Sequence, residues 1–137
     1  MIDNYGRVID YMRISVTELC NLRCRYCMPE DGIVKRAHDE MMTAEETIDA
    51  VKAAVSLGIK KIRITGGEPL VKRGIVKLCS AISAIEGVEE LCITTNGTLL
   101  PKFGKELREA GVSMVNISLD TMDPDKYREI TREGELS

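Results

Sequence analysis

Length, composition and charge limit what this chain can be. Its 137 residues fit one domain, and 44% hydrophobic with 30% charged residues is ordinary for a globular protein. The net charge of −3 lacks the basic excess that nucleic-acid-binding proteins usually carry. No apolar run approaches the roughly 18 residues of a membrane span, and the N-terminus lacks a signal-peptide pattern. We therefore expect a cytoplasmic protein with no membrane or nucleic-acid partner.

Apolar residues recur with two different periods, which predict four strands alternating with four helices. The strands are expected over residues 8–16, 59–64, 91–94 and 113–119. The helices are expected between Thr43 and Gly58, between Val71 and Gly87, between Leu100 and Gly111, and from Asp123 onward. Residues 28–42 show no clean period and are expected to form a long loop. This alternation predicts an α/β fold with a parallel sheet and right-handed crossovers.

Two of the predicted helices have strong start signals. Thr43 and Glu46 match a capping box, in which each side chain accepts a hydrogen bond from the other residue's backbone amide. Asp123 is a favoured N-cap, and Pro124 suits the first helical position. Both helices are therefore predicted to begin at these residues.

Polar clusters follow every predicted strand at its C-terminal end. In chain order they are the Cys20–Cys27 segment, Gly66-Gly67-Glu68, Thr94-Thr95-Asn96, and Ser118 with Asp120. Parallel α/β folds build their active sites at these strand ends, since the ends and the loops that follow them meet at one rim. The sequence therefore predicts a single functional site at this rim.

Three cysteines form the most informative motif, a C-x3-C-x2-C pattern at Cys20, Cys24 and Cys27. Three thiols within eight residues point to an iron–sulfur cluster or zinc, and in a four-iron cluster they leave one iron open. A zinc site completed by His38 is an alternative, but the usual second ligand pair is missing. A redox pair of Cys24 and Cys27 is another, but it leaves Cys20 unexplained.

The other two cysteines and the histidine receive no role in the site. Cys79 lies on the apolar side of its predicted helix, and Cys92 lies inside an apolar strand, so both are expected to be core residues. His38, the only histidine, falls in the predicted loop and is assigned no function.

The run from Arg13 to Pro29 resembles the radical S-adenosylmethionine (SAM) superfamily, and most of all its GTP 3′,8-cyclase family of molybdenum-cofactor biosynthesis. The resemblance implies a 4Fe–4S cluster held by Cys20, Cys24 and Cys27, with SAM on the open iron. An external electron donor would then drive cleavage of SAM to a 5′-deoxyadenosyl radical. The implied reaction is that of a lyase, which converts GTP to 3′,8-cyclo-7,8-dihydro-GTP.

The same resemblance implies roles for six further residues. It implies SAM contacts at Tyr26, Gly67 and Ser118, and GTP contacts at Arg13, Arg63 and Thr94. Simpler interpretations stay open for four of them. Tyr26 could pack against its own loop, Gly67 could serve an ordinary strand-to-helix turn, and Ser118 could cap a turn. Arg63 could pair with a neighbouring carboxylate.

Members of the family continue beyond the part that this chain resembles. They complete a six-unit partial TIM-type barrel and carry a second cysteine trio, so we expect residues 1–137 to be the N-terminal (βα)4 part of a radical SAM core domain. Its first and last strands are expected to be open edges that pair with a second copy or a complementing chain. Two other hypotheses are a radical SAM protein acting on another substrate, such as a peptide, and a non-catalytic iron–sulfur-binding remnant.

Overall fold

A parallel four-stranded sheet with the strand order β1-β2-β3-β4 organises the computed structural model, which describes residues 2–29, 31 and 41–136. The strands are β1 (Tyr11–Ser15), β2 (Lys61–Thr65), β3 (Glu90–Thr95) and β4 (Met114–Ile117). The helices are α1 (Ala44–Ser56), α2 (Ile75–Ser83), α3 (Leu100–Glu109) and α4 (Pro124–Thr131). The predicted fold class, a parallel (βα)4 portion of a barrel, is confirmed.

Both predicted helix starts are also confirmed. The Thr43 hydroxyl accepts from the Glu46 amide at 3.1 Å, and the Glu46 carboxylate accepts from the Thr43 amide at 2.8 Å. Before α4, one carboxylate oxygen of Asp123 accepts from the amides of Asp125 and Lys126 at 3.0 and 3.2 Å. These bonds satisfy amides that have no partner inside a helix, so the first turns are stabilised locally.

Two elements begin three or more residues later than predicted. The first strand begins at Tyr11 rather than residue 8, because Val8 pairs antiparallel with Ile2 instead of joining the sheet. The helix expected from Val71 begins only at Ile75, because a short 3₁₀ turn over Pro69–Val71 ends at the extended residue Lys72 and the N-cap of α2, Gly74, adopts a left-handed conformation (φ 79°). Of the predicted loop over 28–42, residues 30 and 32–40 lie outside the described residues.

The two faces of the sheet have different characters, because alternate strand residues point to opposite sides. One face packs against α1, α2 and α3, and its strand residues in the apolar core are Ile14, Ile62, Ile64, Leu91 and Ile93. The opposite face carries polar side chains, and the register of β1 and β2 places Arg13 beside Arg63. The strand residues predicted to bind substrate therefore lie away from the core.

Cys79 and Cys92 are both buried, as predicted, but their surroundings differ. Cys79 lies in the apolar core with 0% exposure, and burial raises the pKa of its thiol to about 11. Cys92 stands in register with Arg63 on the polar face, and its thiol donates to a Glu90 carboxylate oxygen at 3.1 Å.

Strands β1 and β4 form the two edges of the sheet, as expected from four barrel units. All four residues of β4 are exposed, and Ile117 keeps 58% of its surface accessible. Among the described residues, no helix has both the length and the apolar character needed to cross a membrane.

The stability of this fold depends on the packed face of the sheet. Replacing Ile93, which is 0% exposed, with Ala is expected to lower the free energy of unfolding by about 2–5 kcal/mol, because a cavity remains in the core. The matched change Ile117→Ala on the adjacent strand should alter it by only about 0.5 kcal/mol. Urea unfolding of both variants measures the difference, and equal losses would contradict the assigned core.

Candidate functional site

The three cysteines of the C-x3-C-x2-C motif line one cavity at the carboxyl end of the sheet. Its volume is about 280 Å³, and its lining includes Cys20, Cys24, Cys27, Gly66 and Gly67. Cys20 and Cys24 are half-buried, whereas Cys27 is exposed. Two adjacent amides, those of Cys27 and Met28, donate to the Cys24 carbonyl at 2.9 and 3.1 Å and close a tight turn. The structure thus brings the predicted metal ligands together around one space.

The electrostatics of the cavity favour a bound cation. Burial raises the pKa of the Cys24 thiol, and the negative charges of Cys27 and Cys20 raise it further. Burial also raises the pKa of Cys27, and the charge of Cys20 adds to the effect. Three thiolates that repel each other need positive charge to stay deprotonated together, and iron in a cluster supplies it.

The donor set fits a cluster that takes one thiolate on each of three irons. Among the described residues, no group of three Cys, His, Asp or Glu side chains is arranged to hold a single metal ion. A cluster does not require such convergence, because its thiolates bind different irons. His38, which would complete the alternative zinc site, lies outside the described residues.

Gly67 lies directly against the chain that leads into the cysteine motif. Its amide donates to the Thr17 carbonyl at 2.7 Å. A Cβ atom added at Gly67 would overlap the carbonyl oxygens of Glu18 and Leu19. The backbone itself therefore requires glycine here, a reason that sequence analysis did not give when it offered a SAM contact or an ordinary strand-to-helix turn for Gly67.

Glu68, the next residue, is fully buried and joins two of the strand ends. Its carboxylate accepts from the Leu70 amide at 2.9 Å, the Thr95 hydroxyl at 2.7 Å and the Asn96 amide at 2.7 Å. Three donors compensate the cost of burying this polar group. Sequence analysis quoted Glu68 in its motif without assigning it a role, since a glutamate is rarely buried.

Helix α4 docks on the cysteine loop instead of on the apolar core. The carbonyls of Thr131 and Ile130, at its C-terminal end, accept from the amides of Arg23 and Arg25 at 3.0 Å each. These carbonyls have no partners inside the helix, so the loop satisfies them. The sequence predicted the start of α4 but gave no signal for this contact.

Arg132, directly after α4, strengthens the same contact with its side chain. Its guanidinium donates to the carbonyls of Arg23 at 3.0 Å and Met28 at 3.3 Å, on either side of the cysteine turn. Its φ of 61° makes it the single non-glycine residue with positive φ in the described part of the chain. The two side-chain hydrogen bonds offset the energetic cost of this strained backbone conformation.

Tyr26 connects the cysteine loop to the end of β4. The ring is 65% exposed, and its hydroxyl donates to a carboxylate oxygen of Asp120 at 2.8 Å. The hydrogen bond to Asp120 raises the pKa of Tyr26, and burial raises it further. The phenol therefore keeps its proton. The predicted SAM contact of Tyr26 stays a prediction, and the hydrogen bond gives the ring a fixed position.

The residues predicted to bind GTP share the polar face of the sheet. Arg63 donates to the Thr94 hydroxyl at 3.3 Å, and its guanidinium lies 5.9 Å from the centre of the Tyr11 ring. In the part of the chain that the structure describes, Arg63 forms no ion pair with a carboxylate, which the simpler interpretation expected. Ser118, predicted to contact SAM, follows β4, and its amide extends the ladder by donating to the Thr95 carbonyl at 2.9 Å.

Comparisons with known proteins bear on the whole chain. A family model described as the Radical SAM superfamily matches residues 14–137. A protein named GTP 3′,8-cyclase from Alkaliphilus oremlandii (strain OhILAs) is 61% identical over 137 residues, which are 100% of this chain and 43% of that protein. Another of the same name from Peptoclostridium acidaminophilum is 57% identical over 136 residues, 99% of this chain and 42% of that protein. The chain spans less than half the length of these relatives.

A solved structure shares the architecture at lower identity. Streptococcus suis SuiB bound to S-adenosylmethionine superposes with a TM-score of 0.69 and 22% sequence identity, covering 92% of this chain and 27% of SuiB. At this identity the likeness supports the fold alone.

Loss of the Arg132 side chain should loosen the cysteine loop. Alanine disfavours a positive φ as arginine does, so the variant Arg132→Ala leaves the backbone preference unchanged. It removes the two hydrogen bonds that the guanidinium donates. We expect the amides of Arg23 and Arg25 to exchange with solvent roughly tenfold faster, measured by hydrogen–deuterium exchange. Arg128→Ala, which removes an exposed ion pair with Asp125, is the control. Unchanged exchange in Arg132→Ala would show that α4 alone holds the loop.

Proposed function

Because the chain belongs to the radical SAM superfamily, we propose that it is the cluster- and SAM-binding portion of a GTP 3′,8-cyclase. The predicted cofactors, a 4Fe–4S cluster and SAM, are those of the superfamily, so this prediction is confirmed at the level of the family. The observation that carries the finer proposal is 61% identity along the whole chain to a protein of that name. The substrate, the reaction and the residue roles belong to the proposal.

In this proposal Cys20, Cys24 and Cys27 hold the cluster, and the protein keeps their loop in place. When bound, the cluster and SAM supply the radical chemistry that removes hydrogen from a substrate. The chain's own residues orient the cysteine loop. Gly67 bonds to the segment before the loop, and α4 with Arg132 bonds to the loop itself. Tyr26, Gly67 and Ser118 would hold SAM at the same rim.

The polar face binds the triphosphate of GTP in the proposed site. Neighbouring parallel strands lie about 4.8 Å apart, so Arg13 and Arg63 place two positive charges close together. An anion stabilises two neighbouring positive charges, and the planar fork of a guanidinium group matches phosphate oxygens. Arg63 also donates to the hydroxyl of Thr94, the third residue proposed to contact GTP.

The remaining parts of the proposal concern partners. GTP is the substrate, and the product is 3′,8-cyclo-7,8-dihydro-GTP of molybdenum-cofactor synthesis. An external donor supplies the electron. A cytoplasmic location and pairing through the exposed edges β1 and β4 complete the proposal.

The first experiment tests radical initiation. The purified chain is reconstituted anaerobically with iron and sulfide, then given dithionite and SAM, and 5′-deoxyadenosine is measured. We expect product from the native chain and its loss in Cys24→Ala, while Cys79→Ala, which removes a core thiol, retains it. A full cluster without 5′-deoxyadenosine would contradict activity in this chain and favour the non-catalytic remnant.

The second experiment tests the substrate. Equilibrium binding of GTP to the reconstituted chain should weaken roughly tenfold or more in Arg63→Ala, because a charged hydrogen-bond donor to phosphate is lost. Arg108→Ala removes a positive charge on α3 and should leave binding unchanged. A radical SAM protein for another substrate, such as a peptide, predicts no effect of Arg63→Ala on binding of its own substrate.

A further inference from the structure

Asn96 is a polar residue of the rim to which the proposed site gives no role. It follows β3, and its side-chain nitrogen lies 3.9 Å from the Cys20 sulfur, within the range of a weak N–H···S hydrogen bond. The same nitrogen donates to the Asn21 side-chain oxygen at 2.9 Å. A side chain from the third strand therefore contacts the first cysteine of the motif.

The orientation of the Asn96 amide is determined by its other partners. Its side-chain oxygen accepts from the Thr98 backbone amide at 3.0 Å and from the Thr98 hydroxyl at 2.7 Å. A backbone amide can only donate, so the oxygen must face Thr98. The nitrogen, which carries two protons, is then the atom that faces Cys20.

The backbone beneath Asn96 is also held. The fully buried Glu68 accepts from the Asn96 amide at 2.7 Å, and the Asn21 side chain donates to the Thr98 hydroxyl at 2.9 Å. Asn96 is thus fixed by contacts on the sheet side and on the cysteine-loop side. Such a rigid donor beside a ligating sulfur is the usual form of an outer-shell interaction.

We propose that Asn96 is a positioning residue that donates an N–H···S hydrogen bond to Cys20 and raises the reduction potential of the cluster. A donor at a ligating sulfur withdraws electron density and favours the reduced state, which is one of the ways proteins set cluster potentials. The inference rests on the proposed function only in taking Cys20 as a cluster ligand. It assigns to the Thr-Thr-Asn segment a task separate from SAM and GTP binding.

Two substitutions at Asn96 test the donor. Asn96→Ser and Asn96→Asp each keep a side-chain oxygen for the Thr98 amide and remove the amide donor. In the reconstituted full chain, an electron paramagnetic resonance redox titration should place both midpoint potentials below that of the native protein. Asn96→Ser, which adds no charge, separates loss of the donor from the charge of Asp. The control Asn116→Ser makes the same chemical change at an exposed residue of β4 and should retain the native potential.

The outcomes separate the two proposals. A native chain that assembles no cluster overturns the proposed function and this inference with it. An assembled cluster whose potential is unchanged in Asn96→Ser overturns the role of Asn96 alone.

A spectroscopic measurement applies if both variants fail to fold. Pulsed electron paramagnetic resonance of the reduced native cluster, with ¹⁵N in asparagine side chains only, should detect a coupled nitrogen. The coupling should persist in Asn21→Asp, which leaves Asn96 as the donor, and its absence would overturn the inference.

Discussion

The site depends on holding a short loop against the end of a parallel sheet, although the thiolates of its three cysteines repel each other. A loop of this length has little core of its own, so neighbouring backbone must hold it. The Gly67 amide donates to the Thr17 carbonyl before the loop, and carbonyls at the end of α4 accept hydrogen bonds from the Arg23 and Arg25 amides on either side of Cys24. The positions of the three cysteines therefore depend on α4, which lies far along the chain, and on Gly67, where there is no room for a side chain.

The parallel sheet explains how such distant residues meet. Because every strand ends at the same rim, the loops after β1, β2 and β3 lie side by side. Glu68 connects the second of these loops to the third, and Asn96 connects the third to the first. The rim is thus a hydrogen-bonded layer at the carboxyl end of the sheet.

Local signals account for what the sequence could predict. The capping residues Thr43 and Asp123, the alternation of strands and helices and the buried Cys79 follow from periodicity and short-range hydrogen bonding. The remaining features are tertiary. Burial of Glu68 and the docking of α4 depend on partners that only the fold brings close, and the late start of α2 depends on the conformation of Gly74. Composition and periodicity do not predict these contacts, because the partners are distant in the sequence.

The contact between α4 and the cysteine loop also orders events during synthesis. Arg132 and the carbonyl it binds at Arg23 are 109 residues apart in the chain. At ribosomal rates of about 5–20 residues per second, the cysteines emerge roughly 5 to 20 seconds before the helix that holds them. During that interval the thiols have no fixed positions and are open to oxidation or to other metals. The supported site exists only after α4 has folded, so delivery of iron and sulfide to a formed loop follows translation of its partner helix.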